Sequence, residues 1–147
     1  MSQKNVLFED IVIIMNIDKD GKVFEKVSRI EGKCDSTDCK ILLDYNSDIY
    51  TVSSEFNYLV MLTKSLYIDG TPSPNTFSYD LYSKKSLADR FEYVMYGKVF
   101  KISDDSDGRI TVFISFGGLI LGLTGFPNCL NLLNIDDRVY FFMKQVE

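Results

Sequence analysis

Short runs of alternating apolar and polar residues dominate this chain and predict β-strands. The clearest run occupies residues 109–116, where every second residue is apolar and faces one side: Ile110, Val112, Ile114 and Phe116. A second run, Leu119–Thr124, alternates in the same way. Between the two runs, Gly117 and Gly118 predict a two-residue primed turn, because glycine adopts positive φ angles without steric cost. These features together predict a β-hairpin.

Six other segments have strand character, because they are rich in β-branched and aromatic residues and are bounded by turn-forming residues. They are Phe8–Ile17, Val23–Glu31, Lys40–Tyr45, Tyr58–Tyr67, Phe91–Ile102 and Val139–Lys144. Short helical turns are predicted at Ser86–Arg90 and Asn128–Leu133, and no segment has a sustained apolar stripe of helical period. About eight short antiparallel strands with little helix predict an all-β fold, either a barrel or a sandwich.

One long loop is predicted near residues 69–85. It contains Pro72 and Pro74 and is rich in Ser, Thr and Asn. A loop of this length in a compact domain is usually either disordered or a binding element. We predict disorder from the composition, and the aromatic residues in the segment leave docking as the alternative.

Length and composition predict one domain over residues 1–147. The 147 residues are 46% apolar, which is enough to bury a core without disulfides or metals. The longest aliphatic run, Ile11–Met15, is far shorter than a bilayer-spanning helix, and the first residues do not resemble a signal peptide. We therefore expect an intracellular soluble protein that does not contact a membrane.

The cysteines predict neither a disulfide framework nor a metal site. Cys34, Cys39 and Cys129 are odd in number, and a structural zinc ion needs four Cys or His ligands, whereas the chain contains no histidine. The segment Asn16–Gly21 imitates the start of an EF-hand loop, but Val27 stands where the bidentate glutamate is needed. A hairpin turn is the better interpretation of that segment, and no metal or cofactor is predicted.

Catalysis by this chain alone is not predicted. The lack of histidine removes the commonest general base and the usual nucleophile–base pairs. Adjacent acids such as Asp136 and Asp137 point to opposite faces of a strand. This arrangement favours solvent-exposed surface charges over a catalytic pair. No catalytic residue and no small-molecule substrate are therefore expected.

The charge of the chain argues against general affinity for nucleic acid. The formal net charge is −5 and the pI is about 4.7, whereas phosphate binding rests mainly on Lys and Arg. Within Asn16–Lys40, six basic residues are balanced by six acidic ones. An ordinary solvated face is favoured there, and the alternative is a single-stranded nucleic-acid site formed by Lys19, Lys22, Phe24, Lys26, Arg29 and Lys33.

Seven segments, in order and spacing, resemble the small eighth common subunit shared by nuclear RNA polymerases I, II and III. They are Leu7–Ile11, Val27–Glu31, Ile41–Asp44, Leu66–Thr71, Leu87–Lys98, Ser115–Leu121 and Asp137–Lys144. The resemblance implies an OB-fold-like antiparallel barrel of about eight strands. It also implies a non-catalytic subunit that packs on the largest polymerase subunit, in the nucleus and nucleolus, and supports transcription of DNA into RNA.

The resemblance also ascribes nonspecific single-stranded DNA binding to the segment matching Asn16–Lys40. The balanced charge counted above weakens that implication for this chain. Two departures from the family pattern stand out: Gly122 occupies a position that usually carries arginine, and the loop after Thr71 has no matching motif until Ser86.

The strand that ends in Gly97 and the glycine turn together predict a partner interface. Alternation places Tyr93 and Met95 on one face of the strand and Tyr96 on the other, so the barrel core would cover one face and a partner the other. The candidate interface residues are Tyr93, Met95, Tyr96, Gly97, Phe116, Gly117, Gly118 and Leu119. The alternative is that these residues only define the barrel.

Overall fold

Eight antiparallel strands close into one barrel in the computed structural model, which describes residues 6–19, 21, 25–65 and 90–146. The strands are β1 (Val6–Ile17), β2 (Val27–Cys34), β3 (Lys40–Asn46), β4 (Asn57–Thr63), β5 (Tyr93–Asp104), β6 (Ile110–Phe116), β7 (Leu119–Gly125) and β8 (Arg138–Val146). Their order around the barrel is β1-β2-β3-β7-β6-β5-β8-β4, and β4 pairs with β1 to close it. The predicted all-β antiparallel barrel is confirmed.

The barrel interior follows from the alternation seen in the sequence. Every strand sends alternate apolar side chains inward, and the most deeply buried include Val12, Ile30, Leu43, Leu62, Val99, Ile114, Leu121 and Phe141. Each of the eight described strands pairs with a neighbour on both sides, which removes the open edges through which sheets associate.

Two short elements besides the strands lie in the described residues. A 3-10 turn covers Ser106–Gly108, and helix α1 covers Pro127–Leu130, which overlaps the predicted helical turn Asn128–Leu133 but begins one residue earlier and ends three residues earlier. In the described part of the chain, no helix has the length and apolarity needed to cross a bilayer. The predicted turn at Ser86–Arg90 and the loop near 69–85 lie outside the described residues, except for Arg90.

The hairpin of β6 and β7 forms as predicted. Phe116 pairs with Leu119, and the two glycines between them have φ angles of 65° and 103°. Positive φ at both central positions is the requirement of a primed turn. Most other strand bounds differ from the prediction by one or two residues, as expected for frayed ends.

Strand β2 differs more, because it continues to Cys34 where the prediction stopped at Glu31. Gly32, the residue after the predicted end, faces inward between Val12 and Ile41 in the structure. A side chain at this position would collide with Val12, so glycine lets β1 and β2 approach closely.

Asp10 is a buried acid that fastens the loop between β2 and β3. Its side chain is 5% exposed and accepts hydrogen bonds from the Thr37 amide at 2.8 Å, the Thr37 hydroxyl at 2.7 Å and the Ser36 amide at 3.0 Å. Burial alone raises the pKa of this carboxyl, but the bonds from Thr37 and Ser36 outweigh burial and lower it. The charged form therefore stabilises the fold.

Asp10→Asn is expected to lower the free energy of unfolding by about 2 kcal/mol at pH 7, because charge-assisted hydrogen bonds are lost. Because the native pKa is depressed, this stabilisation is present above the unfolded pKa and is lost as the pH falls below about 4. Urea unfolding at pH 7, 5 and 3.5 should show that the difference in free energy of unfolding between wild type and variant becomes smaller as the pH falls. The exposed neighbour Glu9→Gln is the control, and a gap of equal size at every pH would contradict the prediction.

Candidate partner interface

The structure brings the two halves of the predicted interface together. Lys98 of β5 pairs with Ser115 of β6, so the end of β5 that contains Tyr96 and Gly97 lies beside the glycine turn. A Cβ atom at Gly97 would collide with the Ser115 carbonyl and lie 2.6 Å from Cδ1 of Phe116. Glycine at this position is therefore a packing requirement of the barrel.

Several of the predicted interface residues face the barrel interior. Tyr93 is 5% exposed, its hydroxyl accepts a hydrogen bond from the Asn46 amide at 2.9 Å, and its ring stacks on Tyr50 at 5.2 Å. Phe116 is also buried, with its ring centroid 5.8 Å from that of Phe141. Met95 and Leu119 are half-buried and pack against the core.

Tyr96 points to the outside, where it belongs to a row of aromatic rings. It is 48% exposed, and its ring centroid lies 4.5 Å from that of Tyr140. The row continues through Phe142 to Phe91, whose centroids are 5.2 Å apart. We call this outer side of the barrel the aromatic face; in it Tyr96 and Val94 are exposed, Tyr140 and Phe91 are half-buried, and Phe142 is buried beneath them.

The aromatic face has its own apolar cluster, separate from the barrel core. Phe142 is fully buried and Met61 nearly so, and they pack with Val6, Phe91 and Tyr140 on the outer side of the barrel. Tyr96 and Val94 form the exposed margin of this cluster. The predicted two-sided character of β5 is thus seen in the burial pattern, with Tyr93 and Gly97 inward and Val94 and Tyr96 outward.

Glu92 anchors the start of β5. Its Oε1 accepts a hydrogen bond from the Tyr50 hydroxyl at 2.6 Å and another from the Gln145 amide at 2.9 Å. The bond from Tyr50 is the main reason that the pKa of Glu92 is lowered. This network joins the loop after β3, the start of β5 and the end of β8, and so holds the aromatic face in register.

The predicted nucleic-acid residues do not form a continuous basic track in the described chain. Arg29 donates two parallel hydrogen bonds to the Asp44 carboxylate, with Nε–Oδ1 at 2.6 Å and Nη2–Oδ2 at 3.0 Å. Lys26 lies 3.9 Å from a carboxylate oxygen of Asp48. Lys19 and Lys33 are exposed, and Lys22 and Phe24 lie outside the described residues.

The three cysteines are free thiols at one end of the barrel. Cys34 and Cys39 are buried, and burial raises the pKa of Cys34 to about 12, so this thiol stays protonated. Sγ of Cys39 and Sγ of Cys129 lie 3.8 and 4.0 Å from the Thr37 carbonyl oxygen. Among the described residues, no three acidic or cysteine side chains are grouped as metal ligands.

The adjacent acids Asp136 and Asp137 have separate structural partners. Asp136 lies 3.2 Å from Nζ of Lys98, and Asp137 accepts a hydrogen bond from the Asn134 amide at 3.1 Å. Asp136 therefore forms a surface ion pair, and Asp137 caps a turn.

A closed β-barrel that presents aromatic rings beside a glycine turn has the features of a β-barrel binding module. The family model described as RNA polymerase Rpb8 matches residues 9–145, and the chain belongs to this family. The predicted resemblance is confirmed.

Curated relatives match over nearly their whole length. A Dictyostelium discoideum protein named as subunit rpabc3 of DNA-directed RNA polymerases I, II, and III is 39% identical over 96% of this chain and 98% of its own. A Saccharomyces cerevisiae subunit RPABC3 of the same three enzymes is 33% identical over 96% and 99%. An Arabidopsis thaliana subunit 8B of RNA polymerases II, IV and V is 33% identical over 99% and 100%.

Two functional features were missed by the sequence analysis. Asp10 had a visible signal, because it interrupts an apolar face that otherwise reads Phe8, Val12 and Ile14. Glu92 had none, because its partners are 42 and 53 residues away in the chain.

Proposed function

We propose that this chain is a non-catalytic structural subunit common to DNA-directed RNA polymerases I, II and III. In this proposal it packs on the largest subunit and supports transcription of DNA into RNA in the nucleus, including the nucleolus. The observation that supports the proposal best is the aromatic face, which leaves Tyr96 and Val94 exposed at the margin of an apolar cluster. The names of the relatives support the polymerase as the partner.

The aromatic face is suited to bind a protein. Exposed tyrosines at the edge of a well-packed cluster are typical of residues that dominate binding energy, because a large, rigid ring is desolvated at low entropic cost. Tyr96 has a supporting ring, Tyr140, that already fixes its position. The turn at Gly117 and Gly118 lies beside it and has no side chains to obstruct an approaching surface.

Residues that face inward have a different role in this proposal. Tyr93, Gly97 and Phe116 shape the barrel beneath the contact, and Tyr96, with Val94, makes the contact. Met95, Leu119 and the two turn glycines lie between these groups and border the interface.

Affinity purification tests the proposed function. The tagged full-length chain, isolated from its own cells and examined by mass spectrometry, is expected to bring down the catalytic subunits of polymerases I, II and III in comparable amounts. The plant relative is named for polymerases II, IV and V, so the set of enzymes is itself a result of this experiment. Recovery without any polymerase catalytic subunit would contradict the proposal.

Weak, nonspecific binding of single-stranded DNA is a second proposal with less support. The charges of Arg29 and Lys26 are compensated by Asp44 and Asp48, and the chain as a whole is acidic. What supports it is the pair of exposed lysines, Lys19 in the turn after β1 and Lys33 on β2.

A further inference from the structure

The barrel has a groove on the side away from the aromatic face. It has a volume of about 560 Å³ and lies on the outward faces of β2, β3, β7 and β6, beside the end of β1. The residues that line it include Met15, Lys33, Lys40, Leu42, Phe113 and Gly122. This volume is within the roughly 300–1,000 Å³ range of small-molecule pockets, so it can hold a large side chain.

Gly122 forms the floor of the groove for a reason other than barrel packing. It is paired with Leu42 on one side and Phe113 on the other, so its missing side chain leaves a depression between two apolar walls. A Cβ atom at Gly122 would lie 3.5 Å from Phe113 and 3.8 Å from Leu42, which is ordinary contact. At Gly97 and Gly32, by contrast, an added Cβ collides with its neighbours. Strand glycines often mark a bulge, a tight bend or a close approach of another molecule, and the regular pairing of Gly122 on both sides favours the last of these.

Two lysines stand opposite each other at one end of this depression. Lys33 of β2 pairs with Lys40 of β3, and both side chains are exposed. Neither forms an ion pair within the described residues. Like charges directly opposite on neighbouring strands are destabilising, so the arrangement favours an anionic group between them.

The positive region is small. Lys101 adds a cation beside the groove, with its Nζ 5.6 Å from the ring centroid of Phe113, but Glu31 also lines the groove. The two lysines also line a second, smaller pocket with Asp38, Asp105, Asp107 and Arg109. A polyanion that extends past the lysine pair would be repelled by these three carboxylates, so the small positive region favours a single carboxylate.

We propose that this groove binds an extended protein segment that inserts one large apolar side chain over Gly122 and places a carboxylate between Lys33 and Lys40. The lysine pair lies two residues along β3 from Leu42, the partner of Gly122, and two residues along a strand span ~7 Å. The segment therefore has an Asp or Glu two residues from a Phe, Leu, Ile or Met. This inference does not rest on the proposed function, because it holds for any assembly that the chain enters.

Photocrosslinking tests the inference in the native complex. Met15, which is 60% exposed at the edge of the groove, is replaced with p-benzoylphenylalanine in the full chain expressed in its own cells. After irradiation and purification, mass spectrometry is expected to identify a protein segment with the stated spacing. A cross-link to nucleic acid, to a segment without that acid, or to no other molecule would overturn the inference.

Two variants make the test specific. Gly122→Leu fills the depression, and Lys33→Glu combined with Lys40→Glu reverses the charge; each should lower the cross-link yield about tenfold or more. Lys64→Glu, at an exposed lysine that does not line the groove, is the matched control and should leave the yield unchanged. Thermal unfolding of each purified chain identifies any variant that does not fold. If Gly122→Leu does not fold, the cross-link yield of the double lysine variant decides the test. Retention of the cross-link in a folded variant would overturn the inference. If the cross-link forms but no polymerase subunit is recovered, only the proposed function is contradicted.

Discussion

Gly97→Ala is expected to lower the free energy of unfolding of the isolated barrel by about 3 kcal/mol, because the new methyl group has no space. It would collide with the Ser115 carbonyl and with the ring of Phe116, which is itself held against Phe141 in the core. Neither the Ser115 backbone nor the packed Phe116 ring can move away from the methyl group without a loss of stability. Thermal unfolding followed by circular dichroism should show a melting temperature lower by roughly 10 °C.

Gly122→Ala is the matched control for this prediction. Both glycines lie within strands, but a methyl group at Gly122 makes ordinary contacts with Phe113 and Leu42. It also restricts the unfolded chain, so the control should be neutral or stabilise the barrel by up to about 1 kcal/mol. Equal destabilisation by the two substitutions would show that the loss comes from strand glycines in general and not from the close approach of β5 and β6.

The barrel could be predicted from sequence because its information is local. The alternation from Ile110 to Phe116 and the two glycines that follow determine strand, face and turn within fifteen residues. The predicted end of β2 was wrong, because glycine occurs both at strand ends and inside strands. Gly32 has a low strand propensity but continues β2 in the structure, because Val12 occupies the space that its side chain would take.

The candidate sites were less predictable because they depend on pairing between distant strands. The alternation in β5 placed Tyr96 outside the barrel, but only the register of β8 shows that Tyr140 supports it. The Lys33–Lys40 pair likewise requires the register of β2 with β3, and the depression at Gly122 requires that of β3 with β7. Counting charges over residues 16–40 could not separate Arg29, which is neutralised by Asp44, from Lys33, which has no ion-pair partner among the residues that the structure describes.

Tyr96→Ala separates binding from folding at the aromatic face. The ring is about half exposed and contacts Tyr140, so its removal should cost the isolated barrel no more than about 1 kcal/mol. If the aromatic face is the partner interface, the same truncation should weaken assembly by about 2 kcal/mol, or roughly thirtyfold in affinity. The two quantities are measured by thermal unfolding of the free chain and by competition with wild-type chain for incorporation into the polymerase.

Phe116→Ala gives the opposite pattern and so calibrates the experiment. Phe116 is buried against Phe141, and its truncation should destabilise the free barrel by about 3–5 kcal/mol. Any assembly defect in this variant would then follow from unfolding, whereas Tyr96→Ala should compete poorly although it is folded. If Tyr96→Ala enters the polymerase as well as wild type, the partner binds elsewhere on the barrel, and the exposed margin of the aromatic face only covers Phe142 and Met61.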